Sequence, residues 1–352
     1  MTANGISQSS LGTSEYRTTF RPFTQARDAW VNLVASSQES SLYHNERWIE
    51  LLSRVYRLRI MVAQTCGSDG AQAACLFATS RNPLRRGIVA LPFSDSCVPL
   101  GARDVCAALI AEIASMQPQL GSVEIRGIAA GYPWITLDHF GLWTLRLHAT
   151  RAVQERGFKE NFRRNVKKAR RHGFAVDHGH DANIIRRFYR LNLESRRRLG
   201  LPSPPLRFFN MVAELFGAEA DVWIASDRGR DLAGIFLLSG GSRLYYKWSA
   251  RANGELHGAN HLLLRNIIEA YADRFEYLDF GRADWRNSGL IRFKQETGAS
   301  VTPLPSSFLP CAPRFSSAEH LDGSAALLSR IWRLLPLSVA RVIGGAIYGY
   351  LT

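Results

Sequence analysis

The sequence predicts an α/β (α+β) protein in which one module occurs twice, and three observations carry that prediction. At 352 residues the chain exceeds the usual reach of a single hydrophobic core, so two domains are expected. Hydrophobic residues supply 46% of it and charged residues 21%, which is ordinary globular material and excludes extensive disorder away from the ends. The same succession is legible in both halves: a helix, strands joined by short Gly-containing turns, a second helix and a closing strand.

In the first half, Asn45 has the side chain of an N-cap, and ERWIELLSRVYR after it places Trp48, Ile49, Leu52, Val55 and Tyr56 on one helical face. IMVAQTC and AQAACLFATS read as two strands around a Gly-Ser-Asp-Gly turn, and GIVALPF as a third. DVCAALIAEIASM follows as a helix opened by Asp104, and SVEIRGI closes the unit. In the second half RFFNMVAELFG is a helix and DVWIASDRGRDLAGIFLLSGGSRLYYKWSA gives three strands with tight turns. NHLLLRNIIEAYADRF then starts a helix near Asn260, and EYLDFGRA is the closing strand. The divisions expected are a flexible N-terminus over 1–20, a first domain over 21–150, a second over 151–310 and an amphipathic tail over 311–352.

The second domain is expected to open with a basic helix over 159–172. Phe162, Val166, Ala169 and Gly173 form one stripe of it, whereas Arg163, Arg164, Lys167, Lys168, Arg170 and Arg171 spread over the opposite side. No carboxylate appears between Glu160 and Asp177, so these cations repel one another and an anionic ligand relieves that repulsion. A solvated charged face is the alternative. The net charge of +14, from 44 Lys+Arg against 30 Asp+Glu, favours polyanionic partners: nucleic acid, phosphorylated precursors or anionic lipid.

Five cysteines (Cys66, Cys75, Cys97, Cys106 and Cys311) are odd in number and form no CxxC pair, which argues against a disulfide framework and a zinc site. His257 and His261 stand four apart without a third ligand, so no metal is expected. The polar N-terminal segment lacks a basic stretch followed by an apolar run, and no apolar run approaches the roughly 20 residues that span a bilayer, so a cytoplasmic location is expected. The tail LLSRIWRLLPLSVARVIGGAIYGYLT is interrupted by Arg330, Arg333, Pro336 and Arg341. It is expected either to pack on the protein or to lie on the inner face of an anionic plasma membrane as an interfacial segment.

Two stretches are candidates for chemistry. NGELHGANHLLLRNIIEA sets Gly258, Ala259 and Asn260 at a helix start, where backbone N–H groups and the helix dipole favour a phosphate; ordinary capping is the alternative. DFGRADWRNSGLIRFKQETGA runs from a strand end into what reads as an irregular turn, with Lys294 framed by Ile291 and Phe293. A cation so flanked is partly desolvated, where its field acts more strongly than in water; a surface lysine with a buried stem is the alternative. Asp284 and Asn287 follow the strand end, a common place for working residues. Asp284 either orients or deprotonates an amine or pairs with Arg282 or Arg286. Tyr246 and Lys247 are candidates for a cleft wall, with packing as the alternative. The substrate-binding candidates are therefore Arg163, Arg164, Lys167, Lys168, Arg171, Tyr246, Lys247, Arg282 and Asn287.

Taken together, FRRNVKKARRHG, SRRRLGLPSPPLRFF, YYKWSARANGELHGANHLLLRNIIEA and DFGRADWRNSGLIRFKQETGA resemble the FemAB-like branch of the GNAT acyltransferase superfamily. That branch includes the peptidoglycan-bridge aminoacyltransferases and two-GNAT-domain proteins associated with envelope polysaccharides. The resemblance runs from Ser41 to Ala299 and is strongest in the second half. It implies tandem GNAT-like modules, each a mixed, mainly antiparallel sheet flanked by helices. It implies transfer of an acyl or aminoacyl group to an amine of a cell-envelope, exopolysaccharide or peptidoglycan precursor by direct attack, without a covalent enzyme intermediate or a permanently bound cofactor. The donor arrives as acyl-CoA or as aminoacyl-tRNA, with tRNA then a partner, and the basic helix holds the phosphorylated precursor. In the family a lysine of an FK motif lies close to the reacting carbonyl; Lys294 in RFKQETG occupies the matching position, which implies oxyanion stabilisation. Two departures stand out: no heptad run marks the coiled-coil arm of tRNA-dependent members, and Glu255 occupies the basic first position of the acyl-CoA loop. The competing expectation is a non-catalytic protein that holds nucleic acid or an anionic glycan on the basic helix. Neither an aromatic-basic platform nor a reading motif is present, so sequence-specific DNA binding is not expected.

Overall fold

A computed structural model describes residues 16–67, 70–81, 86–312 and 324–350. In chain order its first part is β1 (Arg17–Pro22), α1 (Phe23–Ser36), α2 (Glu46–Tyr56), β2 (Ile60–Cys66), β3 (Gln72–Thr79), β4 (Gly87–Val89), β5 (Leu100–Gly101), α3 (Arg103–Ser115), α4 (Gln117–Leu120), β6 (Ser122–Arg126), β7 (Ile135–Leu137) and β8 (Phe140–Arg146). The middle holds α5 (Arg151–Gly157), α6 (Glu160–His172), β9 (Ala175–Gly179), α7 (Ala182–Arg198), α8 (Leu206–Phe216), β10 (Ala220–Asp227), β11 (Arg230–Gly240) and β12 (Arg243–Arg251). The last part is α9 (Ala259–Tyr271), β13 (Tyr277–Asp284), α10 (Ser288–Glu296), β14 (Ser300–Pro303), β15 (Ser306–Leu309), α11 (Ser324–Leu334) and α12 (Leu337–Ile347).

Local chemistry explains most of these boundaries. The Asn45 side chain accepts the Arg47 N–H at 2.9 Å and starts α2. α6 buries Phe162, Val166 and Ala169 and leaves its cations outside, then ends on Gly173 in the left-handed region (φ 68°). Asp181 caps α7 by accepting from Asn183 and Ile184. The stretch read as an irregular turn after β13 is instead helical, because the Asn287 side chain caps it by accepting the Leu290 N–H at 3.0 Å. The flexible N-terminus expected over 1–20 falls mainly on residues outside the described ones, and Arg17–Pro22 is strand β1, paired with β2.

Two sheets result, and they repeat one plan. The first runs β1-β2-β3-β4-β6-β15-β7, with β5 added on β3, and the second runs β9-β10-β11-β12-β13-β8-β14. Along each path three antiparallel pairings are followed by one parallel pairing, β4 with β6 and β12 with β13, and then two further antiparallel pairings. A helix supplies each parallel crossover, α3 in one sheet and α9 in the other, as parallel neighbours require. This is the tandem, mainly antiparallel arrangement. The sheets do not divide at residue 150, however: β8, before it, pairs with β13 in the second sheet, and β15 pairs with β6 in the first. One apolar cluster joins the modules, packing Trp48 and Leu52 of α2 with Phe208 and Phe209 of α8 and with Phe236 and Tyr245 of the second sheet. The Trp48 and Trp248 rings stack across this junction at 6.3 Å.

Candidate active site

The second sheet opens in its middle. β12 and β13 pair only from Arg243–Tyr277 to Tyr245–Asp279. Past that point each strand carries one extra residue relative to its other neighbour. On β12, Tyr246 and Trp248 face Leu237 and Phe236, so Lys247 is the bulged residue. On β13, the register jumps between Asp279 and Arg282 opposite β8. Bulges bend a strand and re-aim its side chains; two of them at one level spread β12 from β13 and leave a wedge between the facing backbones.

A buried cluster of charges lies at this wedge, contributed by both modules. Asp95, in the segment between β4 and β5, accepts from Lys247 Nζ at 3.3 Å and from the Tyr43 hydroxyl, and its other oxygen is 3.8 Å from Arg282 Nε. Lys247 also donates to Tyr43 Oη at 3.0 Å and sits over the Tyr43, Trp48 and Trp248 rings. Burial alone would raise the Asp95 carboxyl, but Lys247 and Arg282 overcome it and hold it down at about 2. Burial pushes Asp279 up to about 6, against the Gly281 N–H that its Oδ1 accepts at 2.7 Å. Gly281 has φ +66°, and a Cβ there would stand 3.1 Å from Asp95 Oδ2, so a side chain would crowd the carboxylate. Lys294 is 2% exposed and donates to the carbonyls of Gly281 at 2.9 Å and Arg282 at 3.2 Å. Burial draws it down to about 8. Ionic clusters of this kind are poor stabilisers because desolvation offsets their attraction; a buried one at a break in a sheet points to function.

β12 also borders a cavity of about 930 Å³, of the size that takes a cofactor-like ligand. α6 contributes Asn161, Asn165 and Lys168, α7 contributes Ser195 and Arg198 with Leu199 just past its end, β12 contributes Tyr246, Ser249 and Arg251, α9 contributes Asn260 and His261, and α10 contributes Leu290, Arg292, Phe293 and Glu296. Burial pushes the Tyr246 hydroxyl up to about 12. His261 Nε2 is 3.7 Å from Glu296, and burial lowers its pKa, which keeps it a neutral imidazole able to accept a proton at pH 7. Glu296 is held in turn by the Asn161 amide. Gly258, which also lines the cavity, caps α9 at φ +86°, and a Cβ there would come 2.4 Å from the Asn165 carbonyl. Only glycine lets α6 press against the start of α9. Gly258→Ala is expected to destabilise the protein by about 1–3 kcal/mol, from the left-handed backbone and the clash together, and a melting temperature equal to that of the parent would refute this packing role.

The structure gathers eight of the residues singled out in the sequence at two places. Lys168, Tyr246, Gly258, Asn260 and Asn287 share the cavity wall. Lys247, Arg282 and Lys294 instead meet around Asp95, Asp279 and the β13 bulge. The cavity wall does not include Arg163, Arg164, Lys167 or Arg171, which are exposed on α6, and Ala259 is wholly buried in the core of the second module. Asp284 is 7% exposed and its Oδ1 accepts the Arg286 N–H at 2.9 Å, while the Arg282 guanidinium goes to Asp95. Asp95 and Tyr43 were not foreseen: each is a single polar residue in the first half, and only the tertiary fold brings them to β12 and β13. Among the described residues no cluster of His, Cys, Asp or Glu could hold a metal ion.

Residues 156–295, which run from the end of α5 to Gln295 and include α6, the wedge and Lys294, match the model of the acetyltransferase (GNAT) domain. This segment is similar to a GNAT domain. Among solved structures the chain is similar in fold to FemX, with 14% identity and a TM-score of 0.57 over 83% of this chain and 96% of that one. It is also similar to the C-terminal domain of a putative lysylphosphatidylglycerol synthetase from Agrobacterium fabrum, with 10% identity and a TM-score of 0.51 over 88% of this chain and 95% of that one. L-PGS from Bacillus licheniformis gives 12% identity and a TM-score of 0.50 over 87% and 95%. At these identities the likeness is one of fold, and with FemX it covers more of the chain than the segment matched by the acetyltransferase model. No curated protein matches the chain in sequence.

Proposed function

We propose that the chain is an N-acyltransferase that moves an acyl or aminoacyl group to an amine of a cell-envelope, exopolysaccharide or peptidoglycan precursor, with the reacting carbonyl in the wedge between β12 and β13. The observation that carries this reading is the wedge itself: two bulged strands, a ligand-sized cavity lined in part by β12, and the Lys247, Arg282 and Lys294 cations gathered at the bulges. A non-catalytic holder of polyanions has no use for a buried Asp95–Lys247 pair or for a break in its sheet. The names of the fold neighbours, FemX and lysylphosphatidylglycerol synthetase, favour an envelope acceptor.

In this reading the donor, a thioester or a ribose ester, enters the cavity with its phosphate near Lys168 and the positive end of the α9 dipole. The acceptor amine attacks the carbonyl carbon, the carbon–sulfur or carbon–oxygen bond breaks, and the amine proton passes to His261 or to water while the leaving group takes up a proton. Lys294 has three donors and spends two on the Gly281 and Arg282 carbonyls; the third serves the developing oxyanion. Arg163, Lys167 and Arg171 extend the positive field along α6 for a phosphorylated precursor or a tRNA. Titration of coenzyme A and of aminoacyl-tRNA into the protein identifies the donor. Lys168→Glu is expected to weaken the binding of that donor about tenfold, in line with the loss of one charge-assisted contact, and unchanged affinity would remove Lys168 from the site.

A further inference from the structure

The C-terminal helices carry an inference that does not depend on the transfer reaction. On α11, Leu328, Ile331 and Leu334 are 66%, 48% and 82% exposed, and on α12 Val339, Val342 and Ile343 are 37%, 66% and 40% exposed. The sides turned toward the protein hold small residues, Ser329 on α11 and Ala340 and Gly344 on α12. Both helices are thus amphipathic with the apolar face outward, the reverse of a helix packed on its own core. No Asp or Glu occurs from 324 to 350, while Arg330, Arg333 and Arg341 are exposed beside the apolar stripe. Neither helix is long and apolar enough to cross a membrane.

We propose that this face docks on an anionic lipid bilayer, with α11 and α12 lying in the headgroup region. The aliphatic side chains enter the acyl boundary, and the arginines meet lipid phosphates. A second copy is the poorer occupant, because a two-fold contact would bring like arginines together. The inner side of α11 is seated on the protein: at Gly200, just past the end of α7, a Cβ would fall 2.0 Å from Ser329 Oγ, which leaves the outer apolar face for the bilayer.

The test is flotation of the full chain with vesicles of phosphatidylcholine alone and of phosphatidylcholine enriched in phosphatidylglycerol. The protein is expected to float with the anionic vesicles and to stay at the bottom with the neutral ones. Leu328→Asp with Val342→Asp, and separately Arg330→Glu with Arg341→Glu, are expected to abolish flotation without lowering the melting temperature, since these side chains are exposed. The proposal is overturned if the parent stays at the bottom with anionic vesicles, if either double variant floats as the parent does, or if sedimentation shows a dimer that Leu328→Asp dissociates.

Discussion

Lys294→Met is expected to lower turnover by about 10²–10³, the usual cost of removing one oxyanion donor from a preorganised site. Methionine keeps the length and apolar stem of the buried side chain but removes the ammonium that reaches Gly281 and Arg282. Those carbonyls lose their donor while the desolvation cost of the buried ammonium is removed, so a net loss of stability of about 1–3 kcal/mol is also expected. Lys294→Arg separates the two effects, since it restores charge and hydrogen bonding while displacing the donor from the wedge. The pH profile tests the role itself. Burial draws Lys294 down to about 8, so the cation is present below that pH and is lost above it. Turnover should therefore fall as pH rises through about 8, whereas a lysine acting as general base would give the opposite limb. Between that pKa and the ordinary lysine range the folded protein binds fewer protons than the unfolded chain, so stability from this group rises with pH. Loss of activity there is then not a loss of fold.

Asp95→Asn is expected to be the most destabilising single substitution at the site, by about 3–5 kcal/mol, because it leaves buried cations without their counter-charge. Lys247 loses its carboxylate at 3.3 Å and Arg282 its carboxylate at 3.8 Å, while the Tyr43 hydroxyl keeps an acceptor in the amide. The double variant Asp95→Asn with Lys247→Met should recover part of the loss, since the orphaned ammonium is gone, and that coupling is measurable by a double-mutant cycle of melting temperatures. The folded pKa of Asp95 is held near 2, below its unfolded value. Its contribution is therefore full above the ordinary aspartate range and is lost as pH falls toward 2, so parent and Asp95→Asn should converge there. Equal melting temperatures at neutral pH would show that Asp95 carries no charge in the fold.

The sequence made the repeat legible because each element announces itself locally. Asn45 caps α2, the stripe of Phe162, Val166 and Ala169 fixes the buried side of α6, and short Gly-containing turns join β10, β11 and β12. The exchange of strands was not legible, since β8 and β15 look like any other short strand and their partners are set by which sheet edge the chain reaches. Helix α10 was hidden by a Gly, Arg and Asn composition whose meaning depends on one cap, Asn287. For the site, the FK motif led to Lys294 and the Gly258 turn to the cavity, but Lys247 is aimed by a bulge that no residue type encodes. Asp95 and Tyr43 come from the other module, and a contact made by tertiary packing leaves no periodic trace in the chain.

The most direct measurement is mass spectrometry of envelope precursors and glycans from cells that lack the protein, cells restored with the parent chain and cells restored with Lys294→Met. An acyl or aminoacyl increment on an amine should vanish without the protein, return with the parent and stay absent with Lys294→Met at comparable protein levels. Full return of the increment with Lys294→Met, or identical profiles in all three, would contradict acyl transfer at the wedge between β12 and β13.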